Sequence, residues 1–267
     1  MQRRGDDLFH ALQSPSSCRV RLWRLGGAGI AIQYGETLLY IDPFVAPAGG
    51  PGWIRCEPPL LNRLPPAQLV LLTHEHDDHA DPVALSQLAQ SRECMVVAPA
   101  PAAAIAEKAG FDPHQIKVLS QGQQAQAHGF TITALPVIDT DSQGALAYLI
   151  EVNDVDWRLY HGGDAHMSPL FEMAGAQHRI DCACLSAAGT NKGIQYYLTP
   201  AQTVQAAQKL GARSLIPVHW DLWTINALPE SVWRELRLPP HLTLHVLQPG
   251  EVWCPDVNAD EEENEHR

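Results

Sequence analysis

The hydrophobic pattern of the first third of the chain predicts closely spaced β-strands. Apolar and polar positions alternate over 19–25, a second apolar run starts at Ala28, and a third follows the turn residues Gly35 and Glu36. A period of two places alternate side chains on one face of a strand. Because the connections are short, these segments predict an antiparallel meander. The apolar strand 69–72 follows after a loop rich in proline and glycine.

Two later segments carry helix start signals. Asp81 and Pro82 supply an N-cap and a proline at the first helical position. Thr199 and Gln202 form a capping box for a second helix, which Gly211 ends. A third helix is predicted from Ala102 to Ala109. Further apolar strand segments occupy 95–98, 116–119, 130–137, 145–152, 157–164, 180–186 and 214–219. Two blocks of strands followed by helices predict a four-layer αββα sandwich, in which two mixed sheets pack face to face with helices outside.

Length and charge narrow the class of protein. The chain has 267 residues and a formal net charge of −12, which suits one globular domain and disfavours binding to nucleic acid. Its apolar runs are too short to cross a bilayer, and its N-terminus lacks the apolar region of a signal peptide, so we expect a cytoplasmic protein without a membrane partner. We predict an N-terminal extension over 1–17, a catalytic domain over 18–254 and a disordered acidic tail over 255–267.

Six cysteines are scattered along the chain, at positions 18, 56, 94, 182, 184 and 254. They lack the density of a disulfide scaffold, which predicts reduced and mostly buried thiols. Cys182 and Cys184 have the spacing of a metal pair. They lie in an apolar strand segment, however, and we expect them to pack in the core.

The strongest chemical signal is the segment THEHDDHAD, which follows the strand 69–72. It places His74, His76, Asp78 and His79 within six residues. Imidazole and carboxylate groups are the ligands that zinc and manganese accept, and a turn after a strand can direct all four inward. This H-x-H-x-D-H spacing predicts a metal centre.

This motif in its context resembles the metallo-β-lactamase superfamily, and the resemblance covers about residues 19–254. It implies that His74 and His76 serve one metal position, while Asp78 and His79 serve a second. It also implies that three residues at predicted strand ends belong to the site: Asp164 bridges the metals, His219 completes the second position, and Asp42 orients a motif histidine.

One position departs from the superfamily pattern, which usually has another histidine ligand before the GD motif. The sequence has no histidine between His128 and His161, and Asp139 is the best candidate for that position. A carboxylate there suits manganese better than zinc. The resemblance therefore implies one or two divalent ions, manganese or zinc, with iron less favoured.

Four segments look like the L-ascorbate-6-phosphate lactonase branch, whose pattern tolerates this aspartate: YHGGDAH, IDCACLS, GTNKGIQYYLTPAQ and IPVHWDLW. The resemblance implies a small anionic substrate, such as a phosphorylated lactone. Further candidate residues are His161 as a proton donor, His166, Asn191, Lys192 and Trp223 for substrate binding, and Asp221 behind the metal ligands. Trp53 and Arg55 lie in a loop that is equally suited to be a lid or a plain connection.

These features predict a hydrolase. A divalent ion lowers the pKa of bound water from 15.7 toward about 7, and Asp78 or Asp164 would orient or deprotonate that water. The alternatives are a phosphodiesterase or phospholipase-like hydrolase, a thiol-ester hydrolase or iron dioxygenase on the same fold, and a metal-binding scaffold without turnover. The sequence leaves open whether the chain forms a homo-oligomer.

Overall fold

The computed structural model describes residues 5–45, 63–142 and 144–257, without the side chain of Asn191. The loop with Trp53 and Arg55, Cys56, and the tail from 258 onward lie outside these residues. The helices are α1 Gly5–Gln13, α2 Pro82–Leu88, α3 Ala100–Lys108, α4 Leu170–Gln177, α5 Pro200–Lys209 and α6 Ser231–Arg234. None of them is long and apolar enough to span a membrane.

Two seven-stranded sheets form the centre of the domain. The first has the spatial order β16 Val252–Trp253, β1 Val20–Gly26, β2 Gly29–Tyr34, β3 Thr37–Ile41, β4 Leu69–Leu71, β5 Met95–Ala98 and β6 Ile116–Val118. The second has the order β15 Thr243–Leu244, β14 Ser214–Val218, β11 Cys182–Ser186, β10 Arg158–His161, β9 Leu146–Val152, β8 Phe130–Pro136 and β7 Gln124–Ala127. A hairpin joins β12 Thr190–Asn191 to β13 Ile194–Gln195.

Both sheets are mixed, as the sequence predicts. Strands β1 to β3 pair antiparallel, and β3 to β6 pair parallel. In the second sheet β7 to β10 pair antiparallel, while β10, β11, β14 and β15 pair parallel. The parallel strands of each sheet end at a common edge, and the loops that follow them carry the candidate ligands.

Three hydrophobic layers hold the sandwich together. Ile30 and Ile41 of the first sheet pack with Phe130 and Ile150 of the second in the layer between the sheets. The other face of the first sheet packs against α1, α2 and α3, and the other face of the second sheet packs against α4 and α5. The predicted αββα architecture is therefore observed.

The N-terminal segment contributes to one of these layers. Helix α1 lies within the predicted extension 1–17, and its Leu8 and Leu12 are buried in the layer outside the first sheet. The helix is only nine residues long, too short to be stable alone, so packing of its apolar face stabilises it.

The prediction of reduced cysteines is wrong for one pair. Cys18 and Cys254 form a disulfide with a Cα–Cα distance of 6.0 Å, and the bond joins the residues that precede β1 and follow β16. Pairing of β1 with β16 brings these positions together, although they are 236 residues apart in sequence. Cys94, Cys182 and Cys184 are free and buried, so the expectation of core packing for the last two is confirmed.

Candidate metal centre

The histidine motif forms a tight turn between β4 and α2. The backbone N–H groups of His79 and Ala80 both donate to the carbonyl of His76, at 2.9 and 2.8 Å. Asp81 then caps α2, because one carboxylate oxygen accepts a hydrogen bond from the backbone of Val83. Its other oxygen accepts from the backbone of Val45, which fixes the loop after β3 to the same turn. The motif therefore lies between a strand and a helix, as its sequence context predicts.

The turn and two loops of the second sheet bring six side chains together in two triads. Within each triad the ligand atoms lie within 4.8 Å of one another. The first triad is His74, His76 and Asp164, and the second is Asp78, His79 and His219.

Asp164 belongs to the first triad and also lies close to the second. Its Oδ2 atom is 3.9 Å from Nε2 of His74 and 3.2 Å from Nε2 of His79. Its Oδ1 atom is 3.9 Å from Nε2 of His219. This placement is the one that a bridging ligand requires.

The spacing of donor atoms fits a divalent cation. Nε2 of His74 lies 3.0 Å from Nδ1 of His76, and Nε2 of His219 lies 3.0 Å from Oδ2 of Asp78. Two atoms that each lie about 2.1 Å from one ion are roughly 3.0 to 3.4 Å apart, depending on the coordination geometry. In addition, Nε2 of His79 and Oδ1 of Asp164 are buried and have no hydrogen-bond partner among the described residues. Because unpaired buried polar atoms are costly, a cation accounts for both observations.

A buried network orients His79 from behind. Asp42 places its Oδ2 atom 2.8 Å from Nδ1 of His79 and accepts hydrogen bonds from the hydroxyl and the backbone N–H of Thr73. A proton on Nδ1 completes the contact with Asp42 and leaves the lone pair of Nε2 directed at the site. The structure thus contains the contact that the predicted role of Asp42 requires.

Backbone conformation adds to this organisation. Asp42 and His219 have φ angles of 45° and 66°, in the left-handed region that residues other than glycine rarely adopt. Gly163 has a φ of 56°, and a Cβ atom there would lie 3.0 Å from the side chain of Thr73. The second glycine of the GGD segment therefore permits close approach of the two loops and places Asp164 against the motif turn.

The electrostatics of the cluster favour charged carboxylates. Burial raises the pKa of Asp78, but the neighbouring His79 and His219 outweigh that effect and lower it to about 2. Burial is likewise outweighed at Asp164, where His79 and His219 hold the pKa well below its usual range. Burial and the charge of His79 lower the pKa of His74 to about 4, so that His74 is neutral at pH 7. Both carboxylates and this imidazole are thus in the form that binds metal.

Asp139 lies near the triads but belongs to neither. Its Oδ1 atom accepts hydrogen bonds from the backbone of Asp141 and Ser142, while Oδ2 is buried without a partner in the part of the chain that the structure describes. Burial, together with the charge of Asp164, raises its pKa. Ligation by Asp139 stays a prediction.

His161 is buried and held by the backbone. Its Nε2 atom is 3.0 Å from the carbonyl of Ala28, and its Nδ1 atom accepts from the N–H of Gly163 at 3.3 Å. Both ring nitrogens are therefore occupied, an arrangement that suits a residue that positions the GGD loop. Its predicted role as a proton donor is not tested by these contacts.

The predicted substrate residues lie in three different environments. His166 is half-buried, with Nε2 3.2 Å from the hydroxyl of Thr140. Lys192 is exposed at the tip of the β12–β13 hairpin, and Asn191 beside it has no described side chain. Trp223 is half-buried and lies close to the hydroxyl of Tyr197.

Asp221 anchors the loop that carries His219 through an ion pair behind the candidate ligands. Its carboxylate forms an ion pair with the fully buried guanidinium of Arg24, with Nη1 2.9 Å from Oδ2. Arg24 also donates to the carbonyl of Leu247 and lies over the ring of Trp220. This pair fixes the loop that carries His219 to the first sheet, a contact between residues 197 positions apart that no local pattern reveals.

Sequence reasoning missed Tyr197. Its ring centroid lies 4.5 Å from that of His219. Burial and the charges of Asp164 and Asp78 hold the pKa of its hydroxyl well above the ordinary value. Two adjacent tyrosines precede the capping box of α5, and no periodic signal shows which of them faces the site.

A sequence model of the beta-lactamase superfamily domain matches residues 37–220, more than half of the chain, and this range contains both triads. The chain belongs to the metallo-β-lactamase superfamily. The αββα sandwich and the position of the motif turn after β4 agree with this membership.

Individual relatives place this superfamily member in the branch of UlaG-like proteins. A UPF0173 metal-dependent hydrolase of Caldivirga maquilingensis is 24% identical over 232 residues, which cover 85% of this chain and 95% of the relative. A probable L-ascorbate-6-phosphate lactonase UlaG of Salmonella choleraesuis is 26% identical over 183 residues, 61% of this chain and 52% of that protein, or about half its length. The metallo hydrolase Igni18 of Ignicoccus hospitalis has the same fold, with a TM-score of 0.66, 18% identity, and coverage of 88% of this chain and 97% of its own.

Proposed function

We propose that this metal-dependent hydrolase opens a small anionic lactone or ester. The observation that carries the proposal is the convergence of six histidine and aspartate side chains in two triads joined by Asp164. When bound there, a divalent cation supplies a Lewis acid and lowers the pKa of coordinated water. The similarity to a probable L-ascorbate-6-phosphate lactonase supports a lactone as the substrate.

The residues of the site supply the remaining steps. His74, His76 and Asp164 would hold one cation, and Asp78, His79 and His219 the other. Because Asp78 and Asp164 are ionised at neutral pH, either can accept a proton from the attacking water. The water oxygen forms a bond to the carbonyl carbon, the bond from that carbon to the alkoxy oxygen breaks, and the alkoxy oxygen takes up a proton. The products are a carboxylate and a hydroxyl group.

A substrate panel tests the proposal. Protein purified without chelators is analysed for metal content and assayed against lactones, carboxylic esters and phosphodiesters. We expect metal-dependent hydrolysis of a lactone or ester. Bound metal without turnover on any member of the panel would contradict the proposal, and so would an iron-loaded sample that consumes oxygen.

A matched pair of variants ties turnover to the site. Asp164→Ala removes the carboxylate that joins the two triads, so we expect turnover to be lost while the circular dichroism spectrum is retained. Asp141→Ala removes an exposed carboxylate in a neighbouring loop and serves as the control. Equal turnover in Asp164→Ala and the wild type would refute the assigned role of Asp164.

A further inference from the structure

Tyr197 is held on both sides by the main chain and by neighbouring side chains. Its carbonyl accepts a hydrogen bond from Nε2 of Gln195 at 2.7 Å. The next residue, Leu198, is buried, and its carbonyl accepts from the N–H of Ala188 at 3.0 Å, directly after β11. Thr199 then caps α5. The tyrosine is therefore fixed between a hairpin and a helix start.

The side chain of Tyr197 faces the second triad. Its ring contacts the ring of His219 at a centroid distance of 4.5 Å and an interplanar angle of 52°. Trp223 and the carboxylates of Asp164 and Asp78 lie close enough to the hydroxyl of Tyr197 to act on it electrostatically. An indole N–H can donate but not accept a hydrogen bond, so Trp223 does not take up the proton of the Tyr197 hydroxyl. The O–H group of Tyr197 is therefore available to an acceptor in the site.

We infer that Tyr197 is a catalytic residue whose hydroxyl donates a hydrogen bond to the carbonyl oxygen of the substrate as that oxygen becomes negatively charged. The inference rests on the proposed function. No proton is transferred to or from Tyr197: the water oxygen bonds to the carbonyl carbon, the π electrons move to the carbonyl oxygen, and they return when the alkoxy group leaves. A hydrogen-bond donor next to the carbonyl oxygen stabilises the negative charge during the part of the reaction in which that charge is present.

Substitution by phenylalanine tests the hydroxyl alone. Tyr197→Phe keeps the ring against His219 and removes one oxygen, so we expect metal content to stay unchanged. Loss of one such donor lowers kcat by about 10² to 10³-fold in enzymes that use one, and we expect a decrease of this order with little change in KM. Tyr196→Phe changes the neighbouring half-buried tyrosine and serves as the matched control.

Two aryl acetates separate this role from protonation of the leaving group. For a donor to the carbonyl oxygen, Tyr197→Phe lowers kcat/KM by the same factor for p-nitrophenyl acetate and phenyl acetate. A factor that is much larger for phenyl acetate, which has the poorer leaving group, would place the hydroxyl at the leaving oxygen and overturn the inference.

A binding measurement gives a readout other than activity. Phenyl methylphosphonate is a tetrahedral anion, and its dissociation constant for the metal-loaded protein is obtained by calorimetry. We expect Tyr197→Phe to weaken its binding at least tenfold and to leave the binding of planar acetate unchanged.

The outcomes distinguish the inference from the proposed function. If the wild type hydrolyses esters and Tyr197→Phe stays within threefold of it, or binds the phosphonate equally well, the inference fails while the proposed function stands. If the wild type hydrolyses neither a lactone nor an ester and does not bind the phosphonate, both fail. Weaker phosphonate binding by Tyr197→Phe supports the inference even where turnover is low.

Discussion

Replacement of Asp42 by asparagine is expected to weaken metal binding at the second triad without removing any ligand. In the wild type, Oδ1 of Asp42 accepts from the N–H of Thr73, and Oδ2 accepts from the Thr73 hydroxyl and from Nδ1 of His79. An asparagine offers one acceptor and one donor in the same space. If its oxygen stays on the Thr73 N–H, its NH₂ group faces Nδ1 of His79. The ring then favours the tautomer with its proton on Nε2, the atom that must bind metal.

The opposite orientation of the amide keeps Nε2 of His79 free of its proton, but it has an energetic cost of its own. With its oxygen toward His79, the asparagine directs its NH₂ group at the N–H of Thr73, and two donors meet in a fully buried position. An unsatisfied buried donor costs about 1–3 kcal/mol. Loss of an orienting partner behind a metal ligand typically costs about 10 to 100-fold in affinity, or roughly 1.4–2.7 kcal/mol. Because only this second orientation leaves Nε2 of His79 free for metal, its cost is expected to weaken metal binding by about one to two orders of magnitude.

A competition titration against a chromophoric chelator measures this affinity, and near-ultraviolet circular dichroism checks the fold. Asp81→Asn is the matched control, because Asp81 is also buried in the motif turn but its carboxylate accepts from backbone N–H groups, among them those of Val45 and Val83. We expect that variant to lose some stability and to keep its metal affinity. Wild-type affinity in Asp42→Asn would refute the tautomer argument.

Three further perturbations act on different parts of the molecule. Arg24→Met leaves the carboxylate of Asp221 without its buried partner and is expected to lower the free energy of unfolding by about 3–5 kcal/mol in urea titrations; a change below 1 kcal/mol would contradict an anchoring role. Burial disfavours a charged His79, but the carboxylates of Asp164, Asp78 and Asp42 raise the pKa of His79 well above the ordinary value. Metal binding at pH 7 therefore displaces a proton from this imidazole, and the metal affinity is expected to fall as the pH is lowered. Calorimetry in buffers of different ionisation enthalpy measures that proton, and binding without proton release would argue against this account. Reduction of the Cys18–Cys254 bond is expected to lower the free energy of unfolding by about 2–5 kcal/mol, an effect that the double serine variant should not show.

Local patterns predicted most of the fold. Alternation identified β1 to β3, the Asp81-Pro82 pair located the start of α2, and the capping box located α5. These signals succeed because each depends on residues close in sequence. The contribution of α1 to the outer layer was not predicted, since a helix of nine residues gains its stability from tertiary packing.

The candidate site was predictable to the extent that its ligands form a motif or end a strand. The HEHDDH segment and the resemblance it carries pointed to His219 and Asp164, which the structure brings into the triads. The contacts that support the ligands join distant segments, as Arg24 does with Asp221, and they follow only from the packing of the sheets. The Cys18–Cys254 bond was missed for the same reason, because it depends on the pairing of β1 with β16.

Anomalous X-ray scattering from crystals grown with Mn²⁺ or Zn²⁺ tests most directly whether the six side chains hold a cation. Data on either side of the metal absorption edge locate the ion and identify the element. The account predicts a peak about 2.0–2.2 Å from Nε2 of His79, with a second peak beside His74 if both positions fill, and both peaks within reach of Asp164. Metal found only at other places on the surface, with His79 and His219 free of it, would contradict the account.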